Sequence, residues 1–129
     1  IGETWRPSFG TYCVADDGHQ CRSLFEKQID DWMHANGVEH EVEPLWPWHN
    51  GLNPDQGMRA DWSLRDGTYV EAAGMMSNRA YRTKMERKVE LAEATGLRLI
   101  VIEPGDLGEL GNVLGDFSTA EKKGGLGGR

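Results

Sequence analysis

The stretch "RADWSLRDGTYVEAAG", residues 59–74, alternates apolar and polar side chains on both sides of Arg65-Asp66-Gly67, a turn-forming triplet. It predicts two short antiparallel strands. The strand period of two sets Tyr69, Glu71 and Ala73 on one face of the second strand and Val70 and Ala72 on the other. With the turn near Asp66-Gly67, Asp61 and Glu71 come close at the far end of the pair. Two readings fit two acids in that place. Either both point to water at a sheet edge, or they share a cation. Mg²⁺ takes a few carboxylate oxygens, and the backbone carbonyl of Ala72 can complete its protein ligands.

Outward from this hairpin, "SNRAYRTKMERKVELAEATG" (77–96) predicts a helix with Ser77 or Asn78 as cap and Gly96 as stop. With Tyr81 as zero and about 100° per residue, Met85, Lys88 and Ala92 share one stripe. Lys88 therefore faces inward, where an ammonium needs a partner, while Arg79, Arg82 and Arg87 occupy the outer arc. Lys88→Met is expected to hold or raise stability. "LRLIVIEP" (97–104) follows as an apolar run, expected to be a strand buried on both faces.

Upstream, Ser23 and Glu26 frame a capping box for a helix "SLFEKQIDDWMHANG" (23–37), whose stripe is Phe25, Ile29, Trp32 and Met33 with Glu26 at its edge. "VEHEVEP" (38–44) alternates, which sets Val38, His40 and Val42 on an inner face and makes His40 a core histidine. "LWPWHNGLNPDQGM" (45–58) is a loop whose tryptophans are expected to pack on the core as a lid. An N-terminal hairpin turns at Asp17-Gly18, and leucines 107, 110 and 114 predict a short terminal helix. The result is an α/β (α+β) fold with the order helix, strand, strand, strand, helix, strand.

The 129 residues are expected to form one domain over 1–118 with a flexible tail at 119–129. The chain opens on Ile1, so an additional N-terminal domain is an expectation. No apolar run approaches the ~20 residues of a membrane span, and no membrane partner is expected. Cys13 and Cys21 suit a reducing cytoplasm; with His19 they offer three zinc ligands, one short of a structural site. His19 also suits a proton donor or a plain surface turn. The formal charge of -7 argues against nonspecific coating of nucleic acid, yet five bases stand against one acid between Arg79 and Lys88.

"RAD", "VEAAG" and the inward lysine together resemble the PD-(D/E)xK restriction-endonuclease-like nuclease superfamily. The run "YVEAAGM…AYRTKMERKVELAEATGLRLIVIEPGDL" is most similar to its very-short-patch-repair and phage homing endonuclease branch. The likeness extends from about Ser23 to Leu107. It implies a restriction-endonuclease-like core and a Mg²⁺-dependent endodeoxyribonuclease in which Mn²⁺ substitutes. Asp61, Glu71 and the Ala72 carbonyl would hold metal. Lys88, with Lys84 as second choice, would serve the attacking water, and Glu26 matches a recurrent first-helix glutamate. The DNA backbone would follow Arg59, Arg79, Arg82, Lys84 and Arg87, in a bacterial or phage-encoded cytoplasmic protein. Three departures stand out: Ala60 replaces proline before Asp61, Ala73 holds the usual lysine position, and "GMMSNRAY" lacks the histidine-rich segment of patch-repair enzymes. A rival of another class is a catalytically silent nucleic-acid-binding or assembly module on the same fold; a third is a zinc-binding interaction domain.

Overall fold

The computed structural model describes residues 13–118, so the expected tail at 119–129 lies outside the described residues. The chain is mixed α/β and gathers into two compact units, one taking the described residues up to Glu39 and from Gly105, the other His40–Pro104.

The first unit begins with a hairpin of β1 (Cys13–Val14) and β2 (Gln20–Cys21), in which Gly18 takes φ +93° as the turn requires. Helix α1 (Leu24–Ala35) starts at Ser23, whose Oγ accepts from Glu26 N–H at 3.1 Å. The capping box closes one residue early, because Glu26 Oε1 accepts from Arg22 N–H at 3.0 Å. Ile29 and Met33 are buried as the stripe predicts, Phe25 and Trp32 are half-buried, and Asp30 is buried beside them. A six-residue 3₁₀ turn leads to α3 (Leu110–Leu114), which packs on α1 through buried Leu110 and Leu114. Ser118 Oγ donates to Asn36 O at 2.6 Å and fixes this segment to the end of α1.

The second unit is a sheet in the order β3 (His40–Val42), β4 (Trp62–Leu64), β5 (Tyr69–Ala72), β6 (Leu99–Ile102). The β3–β4 and β4–β5 pairs are antiparallel and β5–β6 is parallel. A parallel pair needs a crossover, and α2 (Arg79–Thr95) supplies it. Asn78 caps α2 through Tyr81 N–H, and Gly96 ends it at φ +73°. Between β4 and β5, Gly67 adopts φ +92° while Leu64 N–H bonds Thr68 O at 2.7 Å, which closes the turn.

Two strand expectations need correction, for one reason. β6 is an edge strand with Leu99, Ile100 and Val101 half-buried, because the apolar run pairs on one side only. β3 forms the opposite edge; Val38 is buried ahead of it, but Val42 is 42% exposed and His40 half-buried. The loop 45–58 divides its tryptophans. Trp46 is fully buried with Ala60, Leu91 and Ala92, whereas Trp48 is 58% exposed, its indole N–H donating to Pro54 O at 2.9 Å.

Candidate active site

Residues opposite one another in an antiparallel pair share a face, and the register pairs Trp62 with Val70 and Ser63 with Tyr69. Trp62, Leu64, Val70 and Ala72 thus lie on one buried face. One step further along this register, Asp61 stands opposite Glu71 on the other face, with Ser63 and Tyr69. The ladder ends there for a specific reason. The Asp61 carbonyl accepts from Glu43 N–H at 3.0 Å on the β3 side, and its side chain takes over on the β5 side, where Oδ2 accepts from Ala72 N–H at 2.7 Å. The carboxylate is thereby fixed to the strand that carries Glu71.

Glu71 is only 2% exposed, so its carboxylate needs donors. Two supply them. Trp46 Nε1–H donates to Oε2 at 3.2 Å, and the Lys88 ammonium stands 3.0 Å from the same oxygen. Trp46 is held by an edge-on contact with Tyr69, ring centroids 5.1 Å apart, and by its own N–H on Met58 O. Lys88, 18% exposed, also donates to Arg59 O at 3.1 Å, so one ammonium ties α2 to Glu71 and to the segment before β4. The lysine stem runs from the stripe of buried Met85 and Ala92.

Burial pushes the Glu71 carboxyl up to about 7, the charge of Asp61 adds to the rise, and Lys88 and the Trp46 N–H oppose it. In EDTA this predicts a pH dependence of stability. The folded chain holds the Glu71 proton to about pH 7, whereas the unfolded chain releases it near the ordinary glutamate value of 4.5. Between these values the folded state binds more protons, so this group's contribution falls as pH rises. Glu71→Gln, which cannot ionise, should therefore gain stability relative to the unsubstituted chain from pH 5 to pH 8, by at most roughly 3 kcal/mol. Urea unfolding at both values measures it; a difference that stays constant would show that the fold does not raise the Glu71 carboxyl.

The remaining expected site residues divide. The Ala72 carbonyl accepts from the Tyr81 hydroxyl at 2.8 Å, which leaves one of its two lone-pair directions for another contact. Glu26 belongs to the first unit and caps α1. Arg79, Lys84 and Arg87 are exposed on α2, and Arg59 is exposed with Nη1 on Glu43 O at 2.8 Å. Arg82 is not a freely solvated outer-arc charge: it is half-buried, with Nη1 donating to Met76 O at 2.8 Å.

In the first unit, His19 is not a plain surface turn residue. Its Nδ1 lies 3.1 Å from Asp17 Oδ2 and 3.1 Å from Asp30 Oδ2. The ligand atoms of these three residues lie within 4.8 Å of one another, a group able to hold a metal ion that contains neither cysteine. Cys13 and Cys21 are not joined in a disulfide, and the buried Cys21 thiol is pushed up to about 12, chiefly by burial and the charge of Asp30.

Sequence reasoning missed Trp46 as the second donor to Glu71 and Asp30 as a partner of His19. Signals existed for both. A buried indole N–H requires an acceptor. Asp30 falls four residues after Glu26 and three before Met33, on the inward side of α1. No helix among the described residues is long and apolar enough to cross a membrane. Comparison of the chain with protein-family models, with curated proteins and with solved structures finds no match.

Proposed function

We propose that the chain is a Mg²⁺-dependent DNA endonuclease with a restriction-endonuclease-like core. The observation that carries this reading is the Lys88–Glu71 ion pair of 3.0 Å, set beside Asp61 on one sheet face. Two carboxylates on adjacent strands and a nearby peptide carbonyl are hard oxygen donors; burial chiefly raises the Glu71 carboxyl, and the Asp61 charge that adds to the rise is what a divalent cation relieves. The donor set fits Mg²⁺, with Mn²⁺ able to substitute.

Asp61 and Glu71 would hold the ion, and the Ala72 carbonyl would add a third oxygen. When bound, Mg²⁺ supplies positive charge at the scissile phosphate and acidifies water. Lys88 keeps a cation at the same carboxylate, and its flexible stem lets the ammonium turn from Glu71 Oε2 toward the attacking water or the charge developing on phosphorus. Trp46 excludes water from one side of Glu71 and fixes its carboxylate through one N–H. Arg59, Arg79, Lys84 and Arg87 present charge to the phosphate backbone.

A second reading has its own observation: Glu71 already carries an ammonium and an indole donor, as a purely structural buried ion pair would. On that reading the domain binds nucleic acid, or assembles, without cutting. Incubation of the purified chain with supercoiled, linear and branched DNA in Mg²⁺, Mn²⁺ or EDTA separates the two. Cleavage that needs the metal is the expected result. Cleavage that survives EDTA overturns the metal mechanism, and retention of DNA without cleavage on every substrate favours the silent module.

A further inference from the structure

Asp17, His19 and Asp30 all belong to the first unit and have no part in the proposed cleavage chemistry. Its members come from two elements that the sequence keeps apart. Asp17 and His19 sit on the β1–β2 turn, and Asp30 projects from the inward side of α1. Asp17 is oriented by its other oxygen, Oδ1, which accepts from the backbone N–H of His19 at 3.1 Å. Asp30 is completely buried, and a carboxylate there requires positive charge close by. His19 Nδ1 stands 3.1 Å from one oxygen of each acid. A ring nitrogen carries a single proton, and that proton cannot point at two anionic oxygens at once.

An ion can serve all three donors. Nitrogen and oxygen ligands at about 2.05 Å from a tetrahedral zinc-like centre stand roughly 3.3 Å apart. The separations of 3.1 Å on both sides of Nδ1 need only a small opening to match it. We propose that Asp17 Oδ2, His19 Nδ1 and Asp30 Oδ2 bind one divalent first-row transition ion, of which Zn²⁺ is the representative, and that it fastens the hairpin to α1. An imidazole ligand favours such an ion over Mg²⁺, which prefers oxygen donors. The site is separate from the Asp61–Glu71 pair and stands whether or not the chain cleaves DNA.

The test uses the full chain stripped with EDTA and dialysed, then titrated with Zn²⁺ against a chromophoric chelator while thermal unfolding is followed. One equivalent should bind at micromolar affinity or better and raise the unfolding temperature. His19→Gln should weaken binding by at least about 100-fold, as loss of a direct ligand requires. Asp17→Asn, at a half-buried turn position that tolerates the change, should weaken it at least about tenfold and melts cooperatively without metal. The pair of substitutions Cys13→Ser with Cys21→Ser should leave affinity unchanged, and so should Asp61→Asn with Glu71→Gln. No zinc uptake by the unsubstituted chain, or uptake that is indifferent to His19→Gln and Asp17→Asn, overturns the proposal. Loss of the zinc in the cysteine pair or in the Asp61 and Glu71 pair overturns it equally.

Discussion

Asp61→Asn should reduce DNA cleavage by at least about 10³-fold while the chain remains folded and still binds DNA. The asparagine carbonyl can still accept from Ala72 N–H, so the junction of β4 and β5 survives. What is lost is one anionic ligand. The remaining acid, Glu71, then no longer feels the Asp61 charge, and its carboxyl should move down from about 7. Glu71→Gln should match the loss of cleavage for the same reason. Single-turnover cleavage of plasmid, with DNA binding followed by fluorescence anisotropy in EDTA, measures both effects. Binding should hold or tighten, because a negative charge beside the phosphate path has gone. Turnover within tenfold of the unsubstituted chain in either variant removes that residue from the mechanism.

Lys88→Met carries the second large effect: a loss of roughly 10²-fold or more in cleavage, in the range for a positioned acid-base or electrostatic group. On stability the structure changes the expectation. A lysine with only solvent as partner could be removed without loss, but Lys88 stands on Glu71, a carboxylate 2% exposed, and on the Arg59 carbonyl. Removing the ammonium strands a buried charge, and Glu71 then folds most cheaply as the neutral acid. Lys88→Met should therefore melt at a lower temperature than the unsubstituted chain at pH 8, with the gap narrowing toward pH 5, where Glu71 is protonated in both. Equal melting temperatures at pH 8 would mean that the Lys88–Glu71 contact contributes nothing to the fold.

Much of the second unit was legible because its signals are local. Gly67 and Gly96 both take the positive φ that their positions required, and Asn78 caps α2. Helical period alone turned Lys88 inward, and the turn at Asp66-Gly67 brought Asp61 and Glu71 close, although only the register puts them on one face. The partners were less legible, since partners are set by tertiary packing. Nothing in the spacing of 25 residues between Trp46 and Glu71 announces their hydrogen bond. The folding back of loop 45–58, with Trp46 N–H on Met58 O and Ala60 N–H on Pro44 O, makes it. The edge positions of β3 and β6 follow from sheet order, which an apolar run does not encode, and so Val42 and Val101 are more open than their neighbours in sequence suggested. The zinc reading looked to the cysteines, which face each other across the β1–β2 pair, and passed over Asp30, because an aspartate in a helix rich in acids reads as solvated until the hairpin is laid against it.

The central claim is that Asp61 and Glu71 together hold a divalent cation beside Lys88. A crystal of the chain soaked in Mn²⁺, with anomalous diffraction recorded at the manganese edge, tests it most directly. The expected result is a peak about 2.1 Å from carboxylate oxygens of both Asp61 and Glu71, with the Lys88 ammonium moved off Glu71 Oε2. Manganese absent from that position, with Lys88 still 3.0 Å from Glu71, would contradict the account.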